Sequence, residues 1–112
     1  MTKILIIDDE RAIRSTLRDI LEYEDYKVID TDNGIDGLAI IKKEEIDLVL
    51  CDIKMSKMDG MEVLTEALAF KPDLPFIMIS GHGTIETAVE ASKKGAYDFI
   101  SKPPDLNRLL IT

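Results

Sequence analysis

Asp8 and Asp9 (with Glu10 next to them), Asp52, Ser80 and Lys102 are the residues whose types could do chemistry together. Clustered carboxylates repel, which raises the pKa of at least one of them unless a cation neutralises the group. An all-oxygen donor set selects a hard ion such as Mg²⁺, which keeps several waters and takes only one or two carboxylates directly. The single cysteine, Cys51, and the single histidine, His82, do not make a zinc set. A carboxylate, a divalent cation, a lysine and a hydroxyl are together what phosphoryl transfer requires. The carboxylate attacks, the metal and lysine neutralise developing charge, and the hydroxyl holds an equatorial oxygen. Taken singly, each residue has a plainer role. Asp-Asp-Glu can cap a helix and complement its dipole, Asp52 can form a turn, and Lys102 can be a solvated surface charge.

The joint reading needs a scaffold that gathers these positions. Short apolar runs rich in β-branched residues occur at Ile4–Ile7, Val28–Ile29, Leu48–Cys51, Phe76–Ile79 and Tyr97–Ile100. Between them lie stretches with helical spacing. Ile13, Leu17, Ile20 and Leu21 form one stripe, Leu38 and Ile41 a second, and Met61, Leu64 and Leu68 a third. Ile85, Ala88, Val89 and Ser92 make a thinner fourth stripe, and Leu106, Leu109 and Leu110 begin a fifth. Gly34 and Gly60 mark strand-to-helix turns, Gly95 follows Lys93-Lys94 like a helix C-terminal glycine, and Pro72 and Pro75 bracket a loop. The runs at Leu48–Cys51 and Phe76–Ile79 are apolar on consecutive residues, as in strands covered on both faces.

This alternation predicts an α/β fold, a (βα)5 doubly wound parallel sheet with a fifth helix cut short at Thr112, and flavodoxin-like if its strand order is 2-1-3-4-5. In such sheets the functional crevice lies beyond the carboxyl ends of the strands. The first strand is followed by Asp8 and Asp9, the third ends in Asp52, the fourth in Ser80 and the fifth in Lys102. With the first and third strands adjacent, Asp8, Asp9 and Asp52 converge, and Ser80 and Lys102 stand on their flank.

Composition bounds the rest. The chain has 112 residues, the size of one domain, and residues 1–112 are expected to be the N-terminal part of a longer protein. Its 46% hydrophobic content excludes intrinsic disorder. Purely apolar runs are too short for a membrane span or a signal peptide, and a single cysteine suits a reducing, cytoplasmic setting. A net charge of -8 repels nucleic acid and anionic membrane, so the domain is not expected to bind either.

The motifs Ile7-Asp8-Asp9-Glu10, Asp52-Ile53-Lys54-Met55 running to Met58-Asp59-Gly60, Ile79-Ser80-Gly81-His82-Gly83, and Gly95-Ala96-Tyr97-Asp98-Phe99 to Lys102-Pro103 resemble the receiver domain of bacterial two-component response regulators. The stretch from Ser80 to Lys102 looks most like the nitrogen-regulation class. The resemblance implies Asp52 as phosphoacceptor, Asp9 as a direct Mg²⁺ ligand, Asp8 as a ligand through water, and the Lys54 carbonyl as a further ligand. It implies that Ser80 bonds the phosphoryl group, that Lys102 pairs with it, and that Phe99 is the switch aromatic. Lys54, Gly81 and His82 would line the pocket and tune access of water, and the Lys102-Pro103 bond would be cis. The implied partners are a sensor histidine kinase, an output domain (a sigma-factor-activating ATPase with a DNA-binding part), and a second copy through the face of helix 4, strand 5 and helix 5. Such a domain catalyses only its own phosphoryl transfer and dephosphorylation. Two positions depart from the family pattern: Ser56 replaces a usual proline, leaving the loop after Asp52 less stiff, and Pro104 replaces a common phenylalanine.

Several residues carry two readings. Cys51 reads as ordinary core in an apolar strand, Phe99 as core or switch, His82 as a solvated loop residue or part of the pocket, and Met55, Met58 and Met61 as loop and helix packing. Two rival functions also fit parts of the pattern. An aspartyl-phosphate-forming phosphatase would share the residue types but normally spaces its first acids as D-x-D. A flavin or nucleotide binder would need a glycine- or hydroxyl-rich loop where Asp8-Asp9-Glu10 would repel phosphate. The small side chains of the fourth helix, Ala88, Val89 and Ala91 beside Ile85, predict an element held less firmly than the first.

Overall fold

The computed structural model describes residues 2–55, 58–80 and 85–101. Five strands, β1 (Lys3–Ile7), β2 (Lys27–Thr31), β3 (Leu48–Asp52), β4 (Phe76–Ser80) and β5 (Asp98–Ser101), alternate with α1 (Arg11–Tyr23), α2 (Gly34–Lys43), α3 (Gly60–Phe70) and α4 (Ile85–Lys93). All strand pairs are parallel, as the alternation predicts, and the order is β2-β1-β3-β4-β5, the flavodoxin-like one that sets the first and third strands side by side. The expected fifth helix, with Leu106, Leu109 and Leu110, lies outside the described residues.

The two-residue pleat sorts the strands' side chains into two cores. Leu5, Ile7, Val49, Cys51, Phe76 and Met78 face α2 and α3, where Leu38, Ile41, Val63, Leu64 and Ala67 meet them. Ile4, Ile6, Leu50, Ile77, Ile79 and Ile100 face the other way, with Leu17 and Leu21 of α1. Every residue of β4 is buried, which explains a run with no polar alternation.

Capping sets where the helices begin. Asn33 and Asp59 each accept a bond from the backbone N–H three residues on, starting α2 and α3. Gly60 is required for a different reason: a Cβ there would lie 2.1 Å from the carbonyl oxygen of Asp52, so α3 starts in direct contact with the end of β3. Gly95 ends the α4 turn with φ +102°, a conformation suited to glycine. Asp25 does the equivalent after α1 at φ 67°, with the Tyr26 N–H bonded to the Leu21 carbonyl, a stop signal that no glycine announces.

Three expectations need correction. β2 extends well beyond Val28–Ile29, because its whole length pairs with β1. β5 starts at Asp98 rather than Tyr97, whose side chain is exposed although its N–H reaches the Phe76 carbonyl. Val89 and Ser92 do not belong to the buried stripe of α4: Val89 is 45% exposed and Ser92 is exposed, leaving Ala91 as the buried contact. Both lie on the part of α4 that the sheet does not cover.

Candidate functional site

The carboxyl ends of β1 and β3 lie side by side because Ile7 pairs with Cys51. The chain leaves β1 through Asp8, whose N–H donates to the Thr31 carbonyl at 3.2 Å and whose Oδ1 accepts from the Glu10 N–H at 2.9 Å. The second bond is a local Asx turn that directs the chain into α1. Helix capping is therefore not what these acids do: Glu10 occupies the N-cap position of α1 and makes no side-chain cap bond. Asp52 is held from its own strand end, where the Ile53 N–H donates to Oδ1 at 2.9 Å and fixes the carboxylate's rotamer.

These constraints gather one carboxylate oxygen from each of Asp8, Asp9, Glu10 and Asp52 to within 4.8 Å of one another. Asp8 and Asp52 are buried, while Asp9 and Glu10 are exposed. The donors are all hard oxygens, and a half-buried, half-open set suits a cation that retains part of its water shell. The residues thus fit a divalent hard cation. Glu10 joins the cluster although the sequence did not place it among the candidate ligands; its position directly after Asp9 on the same turn was the available signal.

Ser80 ends β4 and is buried, one residue beyond Ile79, which pairs with Asp52. It therefore flanks the acid cluster as expected. Lys54 is exposed just past Asp52. Phe99, in β5, is partly buried and packs against the core on the α2 and α3 face. Lys102, Gly81, His82, Ser56 and the Lys102-Pro103 bond lie outside the described residues. Cys51 is wholly buried, and burial above all, followed by the nearby Asp52, Asp8 and Asp59 charges, pushes its thiol pKa well above the ordinary value. A protonated, enclosed thiol is core, not nucleophile. Met55 and Met58 are partly buried and Met61 buried, all packed into the same core.

The family profile described as "Response regulator receiver domain" matches residues 4–112. The chain belongs to this receiver family. It is 44% identical over 110 residues to the nitrogen assimilation regulatory protein NtrX of Azorhizobium caulinodans, covering 96% of this chain and 24% of that protein. It is 38% identical over 109 residues to the transcriptional regulatory protein ZraR of Klebsiella oxytoca, covering 97% of this chain and 25% of that protein. Among solved structures, a CheY-like response regulator receiver domain protein from Methanospirillum hungatei JF-1 superposes with a TM-score of 0.94 at 37% identity, covering 99% of this chain and 89% of that one. The receiver spans about a quarter of the length of the curated relatives it matches. These relatives include regulators of the nitrogen-regulation class. The phosphatase reading draws no support from them. None of the described helices is long and apolar enough to cross a membrane.

Proposed function

We propose that this receiver takes a phosphoryl group onto Asp52 from the phosphohistidine of a sensor kinase, in a Mg²⁺-dependent reaction, and passes the signal to an output domain. The observation that carries the reading is the meeting of Asp8, Asp9, Glu10 and Asp52 oxygens within 4.8 Å at two adjacent strand ends. Asp8, Asp9 and Asp52, with the Lys54 carbonyl, would hold the cation. When bound, Mg²⁺ neutralises charge on the phosphoryl oxygens. An oxygen of Asp52 attacks phosphorus, the bond from phosphorus to the donor's nitrogen breaks, and the imidazole keeps the electron pair. The acyl phosphate so formed is later cleaved by water. Ser80 donates its hydroxyl to a phosphoryl oxygen, and Lys102 pairs with the anion. Gly81 and His82, with Lys54, shape access to the pocket.

The kinase, the ATPase and DNA-binding output, and the cytoplasmic setting are proposed from the relatives, which are regulators about four times this chain's length. On that reading residues 1–112 act as the receiver part of a larger regulator. The signal leaves through α4 and β5: the Ser80 hydroxyl moves toward the phosphoryl group, Phe99 fills the space, and the face changes its affinity for a second copy or the output domain.

Intact-mass measurement after treatment with a small acyl phosphate tests the acceptor. One added phosphoryl group is expected, lost in Asp52→Asn and after chelation. A full adduct on Asp52→Asn sinks the assignment. Lys102→Ala should spare Mg²⁺ binding and weaken the conformational response, and Ser80→Ala and Phe99→Ala should weaken it too. Hydrogen exchange with and without phosphodonor reads that response. Changes confined to α1 would refute the proposed exit through α4 and β5.

A further inference from the structure

Arg14, in the first turn of α1, sits at a junction that the proposed chemistry has not used. Its Nη1 donates to the carbonyl oxygen of Asp8 at 2.8 Å, and its Nε lies 3.5 Å from Oδ1 of Asp30 in β2. The side chain is only 17% exposed. Asp30 is held in turn by Arg18, which also donates to the Val28 carbonyl at 2.9 Å. Because the Asp8 N–H is bonded to Thr31, the residue is clamped from both sides: its amide by the edge strand, its carbonyl by a guanidinium anchored on that same strand. The Asp8 carbonyl lies in the peptide plane that leads into Asp9. A donor that fixes this carbonyl therefore fixes where the Asp9 backbone begins.

We infer that Arg14 is a positioning residue for the acid cluster, setting the Asp8–Asp9 peptide so that both carboxylates meet Asp52 in the geometry a small octahedral cation demands. This inference rests on the reading of the cluster as a Mg²⁺ site. The role calls for arginine rather than lysine. A planar fork holds the carbonyl and the Asp30 carboxylate in two fixed directions, while an ammonium is a point charge on a mobile stem that fixes neither. Bonds from such outer partners orient metal ligands and govern affinity without touching the ion.

Charge and geometry make opposite predictions, which gives the test its sign. Arg14 is a cation close to a cation site, so on electrostatics alone Arg14→Gln should bind Mg²⁺ more tightly. Positioning predicts weaker binding, about ten-fold, the lower range for loss of an outer partner. It also predicts a change in selectivity, because Mg²⁺ requires near-ideal octahedral geometry and Ca²⁺ accepts irregular sites. Ca²⁺ affinity should then fall less than about three-fold, a difference that general destabilisation would not produce.

The experiment is a titration of this chain with Mg²⁺ and, separately, Ca²⁺, followed by amide chemical shifts of Asp9 and Glu10, for the wild type, Arg14→Gln, Arg14→Lys and Arg18→Gln. Arg18→Gln removes the neighbouring tie between α1 and β2 but leaves the bond to the Asp8 carbonyl, so its Mg²⁺ affinity should stay within about two-fold of wild type. Arg14→Lys keeps the charge and the fold and should still lose Mg²⁺ affinity and shift the Mg²⁺/Ca²⁺ ratio in the same direction; it decides the matter should Arg14→Gln not fold. Equal or tighter Mg²⁺ binding in the Arg14 variants, or equal loss in Arg18→Gln, overturns the inference while leaving the metal site standing. A wild type that binds no Mg²⁺ overturns the site reading and the inference together.

Discussion

Helix α1 buries Leu17 and Leu21 against the sheet and is tied to β2 by Arg14 and Arg18, whereas α4, among its described side chains, buries only Ala91. The first helix removes far more apolar surface from water, at roughly 25 cal/mol per Å². The side of the sheet that carries the acid cluster is also pinned from above, because α3 begins against the Asp52 carbonyl. The molecule is thus firm where the carboxylates hold their geometry and lightly held at α4. Elements with few buried contacts are those that open or shift at small free-energy cost. Under the proposed function, a pocket built on the firm half would shift α4 without dismantling itself.

The severest break in this arrangement should come from Gly60→Ala. Its Cβ would meet backbone of Asp52 and Ile53 that cannot swing aside, so a loss of roughly 4 kcal/mol is expected, above the usual range of about 1–3 kcal/mol for overpacking because the clash is with backbone. Thermal unfolding measures the loss, and a near-wild-type midpoint would mean that α3 does not pin the Asp52 strand end. Leu17→Ala should follow at about 3 kcal/mol, since the side chain is fully buried under α1. Chemical denaturation with an unchanged m-value is the appropriate readout.

Alkaline pH sharpens the comparison from inside β3. Burial raises the Cys51 thiol pKa in the folded chain, so below about pH 8.5 both folded and unfolded chains keep the proton and stability is unaffected. Above that range the unfolded chain releases a proton the folded chain retains, and stability falls by up to about 1.4 kcal/mol per pH unit until the folded thiol also ionises. The difference in stability between wild type and Cys51→Ala, followed from pH 8 to 10, isolates this slope from other titrating groups. A flat difference would place the thiol in contact with water. At the small end, Val89→Ala on the exposed side of α4 should change stability by no more than about 0.5 kcal/mol. A loss several times larger would show α4 to be held as firmly as α1.

The order of elements was legible from residue types because each strand is a short apolar run and each helix carries a stripe at 3.6 spacing. Their ends were less so. β2 is longer than its apolar pair because pairing with β1 recruits Lys27, Asp30 and Thr31 whatever their polarity. Asp25 ends α1 in the left-handed region although nothing in its identity demands it. Val89 looked like core because a stripe tells only which residues share a helical face, and the sheet covers too little of α4 to bury it.

For the site, residue identity alone determined the chemistry on offer: acids at the ends of β1 and β3, a hydroxyl at the end of β4, and no thiol or imidazole set for a softer metal. That followed because the parallel fold carries strand ends to one edge, and the end residues can be read directly. Only the tertiary structure decided the rest. It brought Glu10 into the cluster through the turn that Asp8 makes, held Asp52 by the N–H of its neighbour, and set Arg14 between the Asp8 carbonyl and Asp30. Those relations depend on peptide planes and on a side chain spanning from α1 to β2, and a linear order of residues does not contain the distances between them.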